Sequence, residues 1–200
     1  MKIIIDCGHN HSDTWQKFSP VKDDGSRFYE YQSNRLIGQL LASRLDKLGI
    51  KYEYTINPND KKDMTLGERV NIANEIALKE GKNNVLFLSI HSDAYGNGKD
   101  WYDDIIGYSI FSSKGKTKSD EYAKIFEKHY RTELPKFTKC RGHKEEDFFV
   151  LRKTICPAIL LENGFYTSRK DLEYLDSDEG RNKIVDIIVK SIVEIIESRG

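Results

Sequence analysis

Residues 1–9 read MKIIIDCGH. Residues 2–6 are built on three consecutive β-branched isoleucines, and Gly8 stops the run, a pattern that predicts a short, fully buried strand. Residues 85–90, VLFLSI, form a second dense apolar run, and it too delivers a histidine, His91, where it stops. Between these strands the period changes. Over residues 34–48, Leu36, Ile37, Leu40, Leu41, Leu45 and Leu48 share one helical face, and Gly49 follows as a stop. Residues 51–55 read as a strand and 57–63 as a turn, after which Thr65 and Glu68 have capping-box spacing at the head of a helix reaching about residue 79.

Further along, residues 105–112 predict a strand and 120–134 a helix closed by Pro135. A loop follows around Arg141 and His143, then short extended segments at 148–151 and 158–161 on either side of Pro157, and an amphipathic helix over 181–198. Strands alternating with helices predict an α/β fold with a mostly parallel sheet. No repeat, low-complexity tract or linker divides residues 1–200, so one domain is expected.

Composition narrows the partners. The 32 basic and 32 acidic residues balance, which points away from nucleic acid or an acidic membrane surface. Three widely spaced cysteines without a CxxC pair suit neither a disulfide framework nor a zinc knuckle, and favour synthesis in a reducing compartment. The apolar run at the start is shorter than the roughly 7–15 residues of a signal core, so synthesis in the cytoplasm without a signal peptide is expected. The longest apolar stretch, IVDIIVKSIVEII, is broken by Asp186, Lys190 and Glu194 at helical intervals and reads as an amphipathic helix, not a membrane span.

In open α/β sheets the site lies beyond the carboxyl ends of the strands. Three strands place a metal-capable or acidic side chain there: His9 after IIIDCG, His91 after LFLSI and Glu162 after AILL. A histidine at a strand end is ordinarily a solvated or hydrogen-bonded residue, and a glutamate there a surface carboxylate; their shared edge is what raises the alternative. Glu162 lies between PAILL and NGF, which suggests a buried approach followed by a turn. Burial raises a carboxyl pKa and suits it to moving protons near neutral pH. Two histidines do not complete a catalytic zinc site, which takes three protein ligands and leaves a position for water. His11, Glu30, Asp93 and His143 are candidates for the third, and spacing does not choose among them.

Six segments in order, spanning nearly the whole chain, resemble the zinc-dependent N-acetylmuramoyl-L-alanine amidases called Amidase_3, found in bacterial wall-remodelling enzymes and phage endolysins. IIIDCGHN resembles the family's opening Asp-x-Gly-His strand, and YEYQSNRLIGQLLASRLDKLGI its glutamate-led helix. MTLGERVNIAN is similar to its Arg and Ala-Asn helix, here Arg69, Ala73 and Asn74. FLSIHSDA, GYSIFSS and FFVLRKTICPAILLENGF resemble its Ser-Ile-His strand, the strand after it and the segment with the catalytic glutamate.

The resemblance implies a three-layer, phosphorylase/hydrolase-like α/β domain, one zinc ion held by His9, Glu30 and His91, and Glu162 as catalytic acid/base. The implied reaction is hydrolysis of the amide between N-acetylmuramic acid and L-alanine in peptidoglycan. Zinc then acts as Lewis acid, Glu162 takes a proton from attacking water and returns it to the departing amine, and no Ser or Cys nucleophile is needed. A zinc peptidase acting on another amide and a non-catalytic wall-binding module are the competing readings.

The chain departs from the family in three places: Asn163 where Thr or Ser is more usual, Asp93 for a common asparagine, and Cys7 beside His9 where Pro or Ala is usual. These changes are expected to bear on substrate preference. Cys7 reads as a small buried residue, with redox sensitivity near zinc as the alternative, and Asp6 as a neighbour that fixes a ligand's orientation. Trp15, Phe18 and Phe28 in the long 9–28 loop, with Trp101 and Tyr102, are candidates for groove walls or for loop packing. A phage endolysin is expected: a monomeric catalytic domain over 1–200 without a separate wall-binding domain, released to the wall by a holin-type route.

Overall fold

A six-stranded sheet forms the middle layer, in the order β2-β1-β3-β6-β4-β5. The strands are β1 (Lys2–Cys7), β2 (Tyr52–Tyr54), β3 (Val85–Asp93), β4 (Tyr108–Ser112), β5 (Cys140–Glu145) and β6 (Ala158–Phe165). The structure is a computed structural model that describes residues 1–199, with the side chains of Thr14 and Trp15 outside the described set. The helices are α1 (Glu30–Lys47), α2 (Leu66–Glu80), α3 (Lys118–Glu133), α4 (Phe149–Lys153), α5 (Arg169–Leu175) and α6 (Asp178–Glu197).

Strand periodicity explains the three layers. Ile3, Ile5, Leu86, Leu88, Ile90, Ile159 and Leu161 point to one face, where they pack with α1, α3, α5 and α6. Ile4, Val85, Phe87, Ala158 and Leu160 point to the other, against α2 and α4. A strand covered on both faces gains from an apolar residue at every position, hence the unbroken runs IIID and VLFLSI. Each fully buried Ile or Leu contributes about 1.5–3 kcal/mol. Helix α1 comes close to β1 at Gly38, where an added Cβ would lie 2.5 Å from Cys7 Sγ.

Four of the five strand pairings are parallel, and β4 runs antiparallel to β6. His91 and Glu162 are paired across β3 and β6. Neither ends its strand: β3 runs on to Asp93 and β6 to Phe165, so both side chains leave from within the ladder.

Two local expectations fail for physical reasons. The loop predicted around Arg141 and His143 is the edge strand β5, whose CRGHKE sequence lacks apolar alternation because it has only one neighbour and is largely exposed. The extended segment predicted at 148–151 is helix α4; only Val150 and Leu151 face the core, and five residues are too few to display a helical period. Helix α5 was not visible in the sequence for the same reason. Among the described residues, no helix is long and apolar enough to cross a membrane.

Candidate metal centre

The chain beyond β1 is held by a buried ion pair. Arg69 of α2 donates to Asp6 Oδ1 (2.8 Å), to the carbonyls of Cys7 (2.6 Å) and His9 (2.9 Å), and to Asn10 Oδ1 (2.9 Å). Asp6 also accepts from Thr55 Oγ1 (2.5 Å) and Ser89 Oγ (2.6 Å). Burial opposes its charge, but the Arg69 guanidinium and these hydroxyls hold its pKa below the usual carboxylate value. Asp6 thus acts on the His9 backbone through Arg69, which it orients, in line with the sequence expectation that it bears on a ligand's orientation. Among the described residues, His9 is the non-glycine residue with positive φ (65°), a conformation costing roughly 1–2 kcal/mol without such support.

Glu30 opens α1 and is only 2% exposed. Its Oε2 lies 3.1 Å from His9 Nε2 and its Oε1 3.2 Å from His91 Nδ1. These three side chains offer ligand atoms all within 4.8 Å of one another. Glu30 Oε1 also accepts from the Ser92 amide (3.1 Å) and Asn34 Nδ2 (3.4 Å). Burial pushes the Glu30 pKa up, but hydrogen bonds and charge from both histidines outweigh it and hold the group well below its ordinary value. Burial pushes the His91 pKa down, favouring the neutral, ligating imidazole. Gly8 makes room for that ring: a Cβ there would fall 2.2 Å from His91 Cε1.

Glu162 stands in the same cavity of about 480 Å³ as His9 and His91. Its Oε2 is shielded from solvent with no hydrogen-bond partner. Burial first, then the charges of Glu30 and Asp93, push its pKa well above the ordinary glutamate value. Asp93 is itself raised, chiefly by burial.

The structure thus brings together His9, Glu30, His91 and Glu162, leaves Asp93 close enough for its charge to act on Glu162 but outside the ligand group, and separates His11 and His143 from them. His11 is exposed and stacks edge-on against Tyr31 at 5.4 Å. His143 lies on β5, 2.7 Å from Ser112 Oγ. Cys7 is buried under α1, with its thiol pushed up to about 12, mainly by burial.

The aromatic residues proposed as groove walls divide the other way. Phe28 is buried against Tyr166, Phe18 stacks on Tyr29, Trp101 lies under Arg169, and Tyr102 packs with Tyr95, so these residues tie loops to the body. Trp15 lies outside the described side chains. The cavity wall is built instead by Lys17, Met64, Leu66, Phe148 and Phe149. The last two were hidden in a segment read as a strand. Asn163 is fully buried, so any bearing it has on substrate is indirect.

Comparison with known proteins identifies the family. Residues 3–194 match the Amidase_3 family, described as N-acetylmuramoyl-L-alanine amidase. An uncharacterised cell wall amidase of Bacillus anthracis is 29% identical over 99% of this chain, which spans 36% of that protein. The endolysin of Bacillus phage SPP1 is 28% identical over 56% of this chain and 40% of its own length. Among solved structures, an N-acetylmuramoyl-L-alanine amidase from Clostridium difficile 630 superposes with a TM-score of 0.82 at 25% identity, covering 100% of this chain and 98% of that one. The match over almost the whole chain places it in the Amidase_3 family of N-acetylmuramoyl-L-alanine amidases.

Proposed function

We propose that this chain is a zinc-dependent peptidoglycan amidase that hydrolyses the bond between the lactyl group of N-acetylmuramic acid and the L-alanine of the stem peptide. The observation that carries the reading is the His9–Glu30–His91 cluster with the unpartnered Glu162 oxygen in the same cavity. Two imidazoles and an ionised carboxylate are a donor set suited to a catalytic zinc with one position open. Zinc bound there supplies Lewis acidity at the scissile carbonyl and makes hydroxide accessible near neutral pH.

The chain's own residues do the rest. Glu162 takes the proton from water as its oxygen bonds to the carbonyl carbon, and passes that proton to the amine nitrogen as the C–N bond breaks. A lactyl carboxylate and a free alanine amine result. The raised pKa of Glu162 makes it a stronger proton acceptor than an ordinary glutamate, as a group that takes and returns a proton requires. Phe148, Phe149 and Leu66, all solvent-exposed, give the cavity an apolar wall for the glycan or peptide.

Likeness to a phage endolysin supports a lytic role at the bacterial wall, with cytoplasmic synthesis and holin-type release. Mass spectrometry of purified peptidoglycan after digestion, alongside metal analysis of the protein, tests the reading. New alanine amino termini and intact glycan strands are expected from the zinc-loaded protein, and neither from Glu162→Gln. Cleavage within the stem peptide instead would establish a zinc peptidase, and a metal-free protein that binds wall without cleaving it a binding module.

A further inference from the structure

Strands β3 and β6 slip register just beyond the paired His91 and Glu162. The next pair is Asp93 with Phe165, so Ser92 on β3 faces both Asn163 and Gly164 on β6. This is a bulge with its extra residue on β6, and Gly164, the second of the two bulged residues, has a positive φ (81°) that glycine adopts without strain. Two backbone groups at the bulge turn to side chains. The Ser92 amide goes to the Glu30 carboxylate (3.1 Å), and the His91 carbonyl accepts from Asn163 Nδ2 (3.0 Å).

Asn163 is itself anchored. Its Oδ1 accepts from the Tyr130 hydroxyl at 2.7 Å, and Tyr130 is a fully buried residue of α3, on the helical layer behind the sheet. The pattern of donors fixes the amide orientation: the His91 carbonyl can only accept, so Nδ2 must face it, leaving Oδ1 for the hydroxyl. An amide is needed here because one end donates while the other accepts. A Thr or Ser hydroxyl at this position is one atom shorter and cannot span the same gap from the same backbone.

We propose that Asn163 is a positioning residue for the metal site, setting the backbone, and through it the imidazole, of His91 by a Tyr130–Asn163–His91 relay. It touches neither substrate nor the reacting atoms; its effect is on how well His91 is aimed. The inference rests on His91 being a metal ligand. Outer partners that orient ligands typically change metal affinity about 10–100-fold when removed.

The test is zinc affinity measured by chelator competition for wild type, Asn163→Ala, Asn163→Ser and Tyr130→Phe, with unfolding of the metal-free proteins and kcat and KM on peptidoglycan in parallel. Asn163→Ala and Asn163→Ser are expected to weaken zinc binding about tenfold or more. They are expected to lower kcat with KM little changed. Tyr130→Phe is expected to act in the same direction but less, and not to add to Asn163→Ala in the double variant. Metal-free unfolding shifts with zinc affinity left within twofold of wild type would make Asn163 merely structural and overturn the proposal, as would independent addition of the two substitutions. Should Asn163→Ala not fold, unchanged affinity in Tyr130→Phe and Asn163→Ser overturns it equally. A wild type that binds no zinc overturns the metal-centre reading itself, and this inference with it.

Discussion

Arg69 reaches across from α2 to donate to the carbonyl of His9 at 2.9 Å, while its other terminal nitrogen is paired with Asp6 at 2.8 Å. The ion pair, 2% exposed on each side, is thus a fastening for a residue of positive φ at the candidate metal centre. Removing one partner of such a buried pair costs about 3–5 kcal/mol, because the other charge is stranded. Asp6→Asn is expected to lose that much in urea unfolding at pH 7. The Asp6 pKa lies below its ordinary 3.8, so its contribution is present above that value and disappears as pH falls below it. The gap between wild type and Asp6→Asn should therefore close in acid.

Glu162 has the opposite sign. Its folded pKa is raised above the ordinary 4.5, so the folded state holds the proton longer than the unfolded chain. Stability from this group is present below that ordinary value and is lost as pH rises through the folded pKa, at up to about 1.4 kcal/mol per pH unit. In the metal-free protein, Glu162→Gln should gain on wild type in thermal melts as pH rises above the ordinary glutamate value, until the folded pKa is passed, while remaining inactive. Parallel melting curves across that range would contradict the assigned shift.

Gly8 lies against the His91 ring, and a methyl placed there would sit 2.2 Å from Cε1. Gly8→Ala must push the imidazole aside. Zinc affinity should fall at least tenfold, comparable to loss of a partner that orients a ligand. Calorimetric titration with zinc measures this directly, and circular dichroism should show the sheet retained.

Phe148 and Phe149 are each 37% exposed beside the cavity, Phe148 resting on Phe111 at 5.2 Å. Exposed aromatic surface next to a reacting centre contributes through substrate contact. Phe149→Ser should raise KM on peptidoglycan several-fold, with zinc affinity and kcat nearly unchanged. Turnover assays across a substrate series separate the two constants.

The candidate ligands His9 and His91 could be read from the sequence because strand chemistry and family motifs agree: IIIDCGH and VLFLSIH are apolar runs that lead into histidines, and β1 and β3 are parallel neighbours that carry both to the same end of the sheet. Glu30 was different. As the first residue of α1 it carries no periodic signal of its own, and only the resemblance separated it from His11, Asp93 and His143. Phe148 and Phe149 were missed because a single turn of helix and a short strand share the same local pattern. Asn163 was visible as a departure from the family, but its meaning depends on a bulge and on Tyr130, 33 positions away in sequence. Long-range pairings of that kind have no local signature.

Cys7 lies on β1 and Cys140 on β5, with β3, β6 and β4 between them. Four inter-strand steps of about 4.8 Å put them about 19 Å apart, far beyond the roughly 7 Å a disulfide can bridge. Cys156 precedes β6, at the opposite end of the sheet from Cys7, and burial lifts its thiol to about 11. The folded chain therefore has no internal cross-link to gain between Cys7 and Cys140 and little thiolate to lose at Cys7 or Cys156. Its sheet can be assembled under reducing conditions and used under oxidising ones without rearrangement.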